Sequence, residues 1–210
     1  MSLSRFFSAA ALATLAASAQ AGTFNVTSGA NDNAAAQGIS FSAAAAGGAA
    51  LNNYVEQGVT FNGGRVYDVS ASGVGAQPFG GTTNFVAMGP GTPLTVSFAT
   101  GTTYFSFLWG STDTHNTLEV TTNLGTTSYI PGQGGMPTEN PAWSNSIYFN
   151  WHAGVGETVT SLRLTATSQA FEVDNFAVQA VSAIPEPATS AMLLAGLAVL
   201  GSMARRRKIG

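Results

Sequence analysis

Hydrophobic and polar residues alternate along much of the middle of the chain, and this alternation is the strongest structural signal in the sequence. Residues 94–98 alternate apolar side chains with Thr and Ser, and residues 104–109 place Phe105, Phe107 and Trp109 on one side. A period of two predicts half-buried β-strands. By the same pattern, further strands are predicted at residues 23–27, 84–88, 118–122, 126–130, 146–151, 159–166 and 170–181.

Turn-forming residues separate the predicted strands. Asn62-Gly63-Gly64 lies between the short apolar segments 59–61 and 66–67. Asn-Gly supplies the positive φ angles of a tight turn, so this region is predicted to be a β-hairpin. Residues 29–53 are rich in Ala, Gly and Asn, and within them residues 43–50 are compatible with either a loop or a short helical turn, of which Gly47 and Gly48 favour the loop. About nine or ten short strands with frequent turns predict an all-β domain, an antiparallel β-sandwich of jelly-roll-like type.

The N-terminal end departs from this alternation. Residues 1–21 contain Arg5, an apolar run at 6–17, and Ala19 and Ala21 as the small residues of a small-x-small site. A basic start, an apolar run and such a site are the pattern of a secretory signal peptide, here cut after residue 21. An uncleaved N-terminal anchor is the alternative, which the short apolar run and the cleavage site disfavour.

The C-terminal end carries a second apolar run. Residues 188–204 are 17 uncharged residues, which at ~1.5 Å each form a helix of about 25 Å, the lower limit for crossing a bilayer. Four basic residues follow directly: Arg205, Arg206, Arg207 and Lys208. The positive-inside preference keeps them cytoplasmic, so the chain before residue 184 is expected to face outward. A permanent membrane anchor is the alternative.

Three features of this end occur in a fixed order: Pro185, Glu186 and Pro187, then the apolar run, then the basic cluster. In this order they resemble the PEP-CTERM sorting tail of bacterial surface proteins. The resemblance implies processing by a membrane transpeptidase of the exosortase type. It also implies a transient stay in the inner membrane and delivery to the cell surface or extracellular matrix of a Gram-negative bacterium. The chain then divides into a signal peptide (1–21), a β-sandwich surface domain (22–183) and a sorting signal (184–210).

Two segments of the body also resemble a group of exosortase-dependent surface proteins. They are Phe107 to Asp113 with Asn116, and Phe171 to Phe176. This second resemblance implies a location at the cell surface, without a defined biochemical activity.

Charge and cysteine content narrow the function of the body. Residues 22–183 contain two cations, Arg65 and Arg163, against nine carboxylates and no lysine, a net charge of −7. This composition lacks the basic surface that binding to nucleic acid or anionic lipid requires. The chain has no cysteine, which excludes disulfides, thiolate metal sites and cysteine nucleophiles.

The last predicted strand carries two carboxylates on one face. Glu172 and Asp174 alternate with Phe171 and Val173, so the two pairs lie on opposite faces of the strand. Strict alternation would then bring Asn175 inward and turn the next aromatic residue outward. A bulge or twist is therefore predicted near Asn175.

These carboxylates form a candidate calcium site. Glu172, Asp174 and Asn175 offer the oxygen ligands that Ca²⁺ prefers, and the pattern is similar to strands that hold a structural calcium ion in jelly-roll sugar-binding modules. Because calcium takes about six to eight oxygens, Asp32 or Asn31 would have to complete the site. The alternative is that Asp174 and Asn175 cap a turn or bind backbone amides.

Aromatic residues indicate a further candidate function. Trp143, Tyr148 and Trp151 would stack on sugar rings if their side chains were exposed. Phe149 and Trp151 alternate with Tyr148 and Asn150, so one of the two sets faces outward. The alternative is that the tryptophans fill the core between the sheets.

Catalytic arrangements have little support in the sequence. The chain has no Gly-x-Ser-x-Gly motif, and Asp113 with His115 supplies only two donors for a metal. Glu172 and Asp174, about 7 Å apart along a strand, fall in the range of glycosidase carboxylates. The sequence favours a non-enzymatic, matrix- or biofilm-associated surface protein, with a carbohydrate-binding module as the alternative and a polysaccharide-acting enzyme as the third possibility.

Overall fold

The computed structural model describes residues 21–138 and 146–180, and all of the regular structure in these residues is β-strand. The strands are β1 (Thr23–Thr27), β2 (Gln37–Ile39), β3 (Ala49–Glu56), β4 (Val59–Tyr67), β5 (Phe85–Met88), β6 (Leu94–Trp109), β7 (Asn116–Thr122), β8 (Gly125–Tyr129), β9 (Ile147–His152), β10 (Val159–Ala166) and β11 (Phe171–Ala180).

All the pairings between these strands are antiparallel, which confirms the predicted all-β antiparallel class. Within the same residues, no helix is long and apolar enough to span a membrane. The predicted signal peptide and the C-terminal apolar run lie outside the described residues.

The longest strand, β6, passes from one part of the sheet into another. Residues 94–98 of β6 pair with β4 and β10, while residues 102–109 pair with β9 and β11. Between them, residues 98–101 of β6 bulge opposite residue 160 of β10. A bulge bends a strand without reversing it. The two strands predicted in this region are therefore one.

The two parts of the sheet enclose one core. One part contains β1, β9, the second half of β6, β11 and β2, the other contains β3, β4, the first half of β6, β10, β7 and β8, and β5 joins β11 to β4. The ring of Tyr129 in β8 contacts Phe24 of β1 and Phe149 of β9, with centroids 5.0 and 5.3 Å apart. Since β8 pairs with neither strand, these side-chain contacts cross the interior and link the two parts of the sheet.

The apolar face of β6 is the centre of the core. Phe105, Phe107 and Trp109 are each 0% exposed, which confirms the predicted face. The ring of Trp109 stacks on Phe171 of β11, with centroids 4.3 Å apart. Burying a large apolar side chain contributes about 1.5–3 kcal/mol. The pair β6–β11 is thus a firmly packed platform for side chains on its opposite face.

The predicted hairpin at Asn62-Gly63-Gly64 is wrong. Strand β4 runs unbroken through these residues, and the chain reverses instead at Gln57-Gly58, between β3 and β4. Gly63 does have a positive φ of 89°, but it serves a close approach of two strands, because a Cβ at this position would overlap the carbonyl oxygen of Pro93. The same oxygen accepts the NH of Gly64 at 3.0 Å.

The segment 29–53 is loop apart from two short stretches of strand. Strand β2 occupies residues 37–39, and β3 begins at Ala49. Gly47 and Gly48 both have positive φ angles, 77° and 87°, which a right-handed helical turn does not contain. Of the two alternatives left open by the sequence, the loop is correct.

Two loops cover the sheet face that points away from the core. The segment 28–36 lies over β9, where the NH of Asp32 donates to Asn150 Oδ1 at 3.2 Å. The segment 68–84, called the covering loop below, lies over the start of β11. Side chains that point outward from β6 and β9 are consequently enclosed: Tyr104, Leu108 and Asn150 are at most 2% exposed.

Candidate functional site

Strand β11 carries its two carboxylates on the face away from the core. Phe171 and Val173 are buried in the core, and Glu172 and Asp174 lie on the opposite face, as the alternation predicts. Because the covering loop packs on this face, the two carboxylates are only 5% and 0% exposed. Each of them must therefore find its hydrogen-bond partners within the protein.

Both oxygens of Glu172 accept hydrogen bonds. Oε1 receives the NH of Ala76 in the covering loop at 3.0 Å, and Oε2 receives the hydroxyl of Ser111, just after β6. Burial raises the pKa of Glu172 above its usual value, these two hydrogen bonds oppose the rise, and the charge of Asp113 adds to it. Glu172 thus connects β11, the covering loop and the segment after β6.

Asp174 is enclosed more completely. Its Oδ1 accepts the hydroxyl of Thr83 at 3.1 Å and the NH of Asn175 at 2.6 Å. Its Oδ2 is buried and has no hydrogen-bond partner among the described residues, and a Cβ on Gly81 would overlap it. Burial raises the pKa of Asp174 to about 6, while its two hydrogen bonds lower it.

Asn175 forms the predicted bulge. Asp174 and Ala177 pair with Leu108 and Ser106 of β6, so two residues of β11 oppose a single residue of β6. Asn175 has a φ of 46°, in the left-handed region. Its Nδ2 donates to the hydroxyl of Tyr148 at 3.0 Å, which ties β11 to the outward-facing residues of β9.

The structure does not assemble the predicted calcium ligands. Glu172 and Asp174 bind separate partners, and Asn175 turns to Tyr148. Asn175 lies beside Tyr148 of β9, whereas Asp32 lies beside His152, four residues further along the same strand. Four residues of a strand span about 13 Å. The part of the chain that the structure describes has no group of three or more acidic or histidine side chains suited to a metal ion. Asp174 binds a backbone amide instead, as the alternative expected.

A second polar cluster, which the sequence reasoning missed, fixes the N-terminal segment. Oδ2 of Asp32 lies 2.9 Å from both Asn25 Nδ2 and His152 Nε2, and the hydroxyl of Tyr104 donates to Asn150 at 2.9 Å. Burial raises the pKa of Asp32, but its hydrogen bonds with His152 and Asn25 are among the interactions that outweigh burial, so the pKa lies below its usual value. Burial raises the pKa of Tyr104 to about 12. The polar residues at alternate positions of β9 were the available sequence signal.

The three residues predicted to contact a glycan differ in where they lie. Trp151 is 2% exposed, its ring stacks on Phe105 with centroids 5.5 Å apart, and its Nε1 donates to the Tyr129 hydroxyl at 3.2 Å. It lies in the core and presents no face to a sugar, as the alternative expected. Tyr148 is 8% exposed, and its hydroxyl accepts the hydrogen bond from Asn175. Trp143 lies outside the described residues.

A cleft of about 360 Å³ opens beside Glu172. Its walls come from the covering loop, the segment after β6, the residue before β9 and the start of β11: residues 76–79, 110–111 and 169–170, with Asp113, Ser146 and Glu172. Most of the wall residues are polar, and Phe79 at the rim is 63% exposed. The cleft combines hydrogen-bonding groups with an uncovered aromatic ring.

Another cleft of similar volume lies beside Arg65 and Tyr67. Its walls are mainly glycine, proline and apolar residues, and the Arg65 guanidinium already donates to the carbonyl of Gly48 at 2.9 Å. It offers fewer polar groups to a ligand than the cleft beside Glu172 does.

The two body segments that resemble exosortase-dependent surface proteins meet at the cleft beside Glu172. Trp109 of the first segment pairs with Val173 of the second, and the NH of Gly110 donates to the carbonyl of Glu172 at 2.8 Å. A Cβ on Gly110 would lie 3.0 Å from the Glu172 Cβ and 3.2 Å from Pro78, so this close approach favours glycine.

Asp113 is the more accessible carboxylate of the cleft. Its side chain is 30% exposed, and its Oδ2 lies 3.8 Å from His115 Nε2. Its backbone carbonyl accepts the NH of Asn116 at 3.0 Å, which closes a turn between β6 and β7. Asp113 and His115 are two donors at most, fewer than the three or four of a zinc-type site.

The comparison with known families bears on the end of the chain that the structure does not describe. The PEP-CTERM protein-sorting motif matches residues 183–208. This confirms the resemblance first seen in Pro185, Glu186 and Pro187, the apolar run and the basic cluster. The motif indicates an exported surface protein of a Gram-negative bacterium, sorted with processing by an exosortase, which is a membrane protein. No curated protein matches the chain.

Proposed function

We propose that residues 22–183 are the mature, non-enzymatic part of this exported protein and that they act in the extracellular polysaccharide matrix, as in a biofilm. We further propose that the two parts of the sheet pack face to face as an antiparallel β-sandwich with a jelly-roll-like order of strands. The sorting motif at residues 183–208 carries the proposal. It begins three residues after Ala180, the last residue of β11, so all of the described strands precede it.

The boundaries of the domain support export and processing at both ends. Cleavage after Ala21 would leave β1 intact, because this strand begins at Thr23. At the other end, residues 181–187 separate β11 from the apolar run 188–204 and span at most about 25 Å. A run held in the inner membrane, with Arg205 to Lys208 on the cytoplasmic side, would keep the domain close to the outer surface of that membrane until processing releases it.

The charge of the domain favours uncharged or cationic matrix polymers as its partners and disfavours nucleic acid. In the described residues both arginines are engaged, Arg163 with Glu119 at 3.1 Å and Arg65 with the carbonyl of Gly48. The remaining charge is negative. A surface of this kind offers no cationic patch to a phosphate backbone.

The environment of the carboxylates supports a non-enzymatic role. A glycosidase needs two carboxyl groups that face one substrate. Asp174 lies beneath Thr83 and Gly81, away from the cleft, while Glu172 accepts hydrogen bonds at both oxygens. Only Asp113 is left as an accessible carboxylate there. A polysaccharide-acting enzyme is therefore the third candidate function.

Fractionation of the producing cells tests this proposal. In the wild type the protein should be found in the matrix or at the cell surface, and in a strain without the exosortase it should stay with the inner membrane. Equal amounts in the periplasm of both strains would contradict the proposed route. New reducing ends after incubation of the purified protein with the matrix polysaccharide would contradict the non-enzymatic role.

Carbohydrate binding is the second candidate function. The two predicted contacts that the structure describes do not support it, since Trp151 is in the core and Tyr148 is buried. The cleft beside Glu172 favours it independently, because its polar walls and the exposed ring of Phe79 match the mixed surface of a sugar.

A further inference from the structure

The cleft beside Glu172 combines a fixed polar wall with one exposed aromatic ring. We propose that it binds a glycan chain without anionic groups, and that Phe79 stacks on a sugar ring of this chain. The inference names the site and the ligand class for the carbohydrate binding advanced above, and it rests on that candidate function.

Hydrogen bonds hold the walls of the cleft in place. Ser146 Oγ accepts the NH of Phe79 at 2.7 Å and donates to the carbonyl of Gly110 at 3.1 Å. Gln77 Nε2 donates to the carbonyl of Thr83 at 3.2 Å. The two bonds of Ser146 join the covering loop to the segments next to β9 and β6, and the Gln77 bond braces the loop itself. A ligand therefore meets a preorganised surface, and its binding does not have to order the loop.

Phe79 is unusual among the exposed apolar residues of the described chain. The other large apolar side chains at the surface are aliphatic: Val26, Val55, Val69, Leu124 and Val155. Phe79 is 63% exposed, and its backbone is fixed by Ser146 at the rim of the cleft. An uncovered aromatic ring on a hydrogen-bonded backbone suits the flat, weakly apolar C–H face of a pyranose.

The polar groups of the cleft suit the hydroxyls of a sugar. Ser111 and Ser146 bring hydroxyls, Gln77 and Gln169 bring amides, and Asp113 brings a carboxylate. Sugar hydroxyls both donate and accept, so they can pair with each of these groups. The cleft volume of about 360 Å³ lies in the usual range of small-ligand sites, roughly 300–1,000 Å³.

The charge of the cleft selects against anionic sugars. Its two ionisable side chains, Asp113 and Glu172, are both carboxyl groups, and neither of the described arginines lines it. A uronic acid would face Asp113 without a cationic partner, which costs binding energy. A neutral hexose or a hexosamine with a free amino group meets no such repulsion.

Calorimetric titration of the exported protein, purified from the producing cells, tests the site. Hexamers of glucose, glucosamine and glucuronic acid serve as neutral, cationic and anionic probes. The first two should bind saturably and the third should not. Phe79→Ala should weaken binding about tenfold. Val155→Ala, which removes a side chain that is 67% exposed outside the cleft, should not change it.

Asp113→Asn tests the origin of the selectivity. It should bring the glucuronic acid hexamer into the measurable range, and it should weaken binding of the glucosamine hexamer more than binding of the glucose hexamer. Unchanged thermal unfolding midpoints would show that the variants fold. Failure of all three probes to bind, equal binding by wild type and Phe79→Ala, or a preference for the anionic probe would each overturn the proposal.

Binding and fractionation measurements on the same protein distinguish failure of the proposed binding site from failure of the proposed matrix location. A protein that accumulates in the matrix and binds none of the three hexamers overturns the binding site and leaves the location standing. A protein that binds the neutral and cationic hexamers in solution but never reaches the matrix overturns the location and leaves the binding site standing.

Discussion

Ser111 donates a hydrogen bond to Glu172, although the two residues are 61 positions apart in the chain. The same carboxylate accepts the NH of Ala76 at 3.0 Å. One buried side chain thereby joins β11, the segment after β6 and the covering loop. These three parts are also the principal walls of the cleft, so this carboxylate determines how the cleft is held together.

Ser111→Ala should lower the free energy of unfolding by about 1–3 kcal/mol, because it leaves Glu172 Oε2 buried without a donor. Urea denaturation measures the change. Ser128→Ala on β8 is the matched control, since Ser128 is exposed. Equal stabilities of the two variants would mean that the bond between Ser111 and Glu172 contributes nothing.

Asp174→Asn should stabilise the protein at pH 8. Burial raises the pKa of Asp174 to about 6 in the folded state, so the folded protein binds a proton there more tightly than the unfolded chain does. The contribution of this group to the free energy of unfolding therefore increases as the pH falls through 6 and is lowest above it. A neutral amide removes the burial penalty of the charge, on the order of 1–3 kcal/mol.

Urea denaturation of the wild type and the variant at pH 8 and at pH 5 checks the direction of this pH dependence. The advantage of the Asp174→Asn variant should be largest at pH 8 and should shrink at pH 5, where the wild-type carboxyl is mostly protonated. Asp68→Asn is the control, because Asp68 lies exposed at the start of the covering loop. A variant that is less stable than the wild type at pH 8 would show that Asp174 is needed as a carboxylate.

Substitutions of Asn175 should separate backbone strain from hydrogen bonding. Asn175→Gly retains the left-handed backbone and loses the bond to Tyr148, whereas Asn175→Ala loses the bond and also holds a Cβ at a φ of 46°. We expect the alanine variant to be less stable than the glycine variant by about 1 kcal/mol. Thermal unfolding with Tyr148→Phe, which removes only the hydrogen bond, completes the comparison. Alanine and glycine variants of equal stability would contradict a strained bulge.

Local geometry explains what could be predicted about β11 from the sequence. The faces of Glu172 and Asp174 follow from the period of two, which depends on neighbouring residues alone. The bulge at Asn175 could be predicted because strict alternation would have turned Phe176 outward. In the structure Phe176 is 1% exposed, so the extra residue keeps its ring in the core.

The surroundings of the two carboxylates could not be predicted, because their partners are remote in the sequence. Ala76 and Thr83 precede Glu172 and Asp174 by 96 and 91 positions, and no local pattern shows which loop will cover a strand. The misplaced hairpin has a similar cause. The positive φ of Gly63 serves a turn or a close contact equally well, and Pro93 on a distant segment decides between them.

Sorting by an exosortase is the central claim, and the C-terminus of the mature protein tests it most directly. Intact-mass spectrometry compares the protein from wild-type cells with that from a strain lacking the transpeptidase. We predict that the wild-type protein ends near Pro185, Glu186 and Pro187 and lacks Arg205 to Lys208, while the mutant strain retains the chain to Gly210. The full C-terminus in both strains would contradict the account.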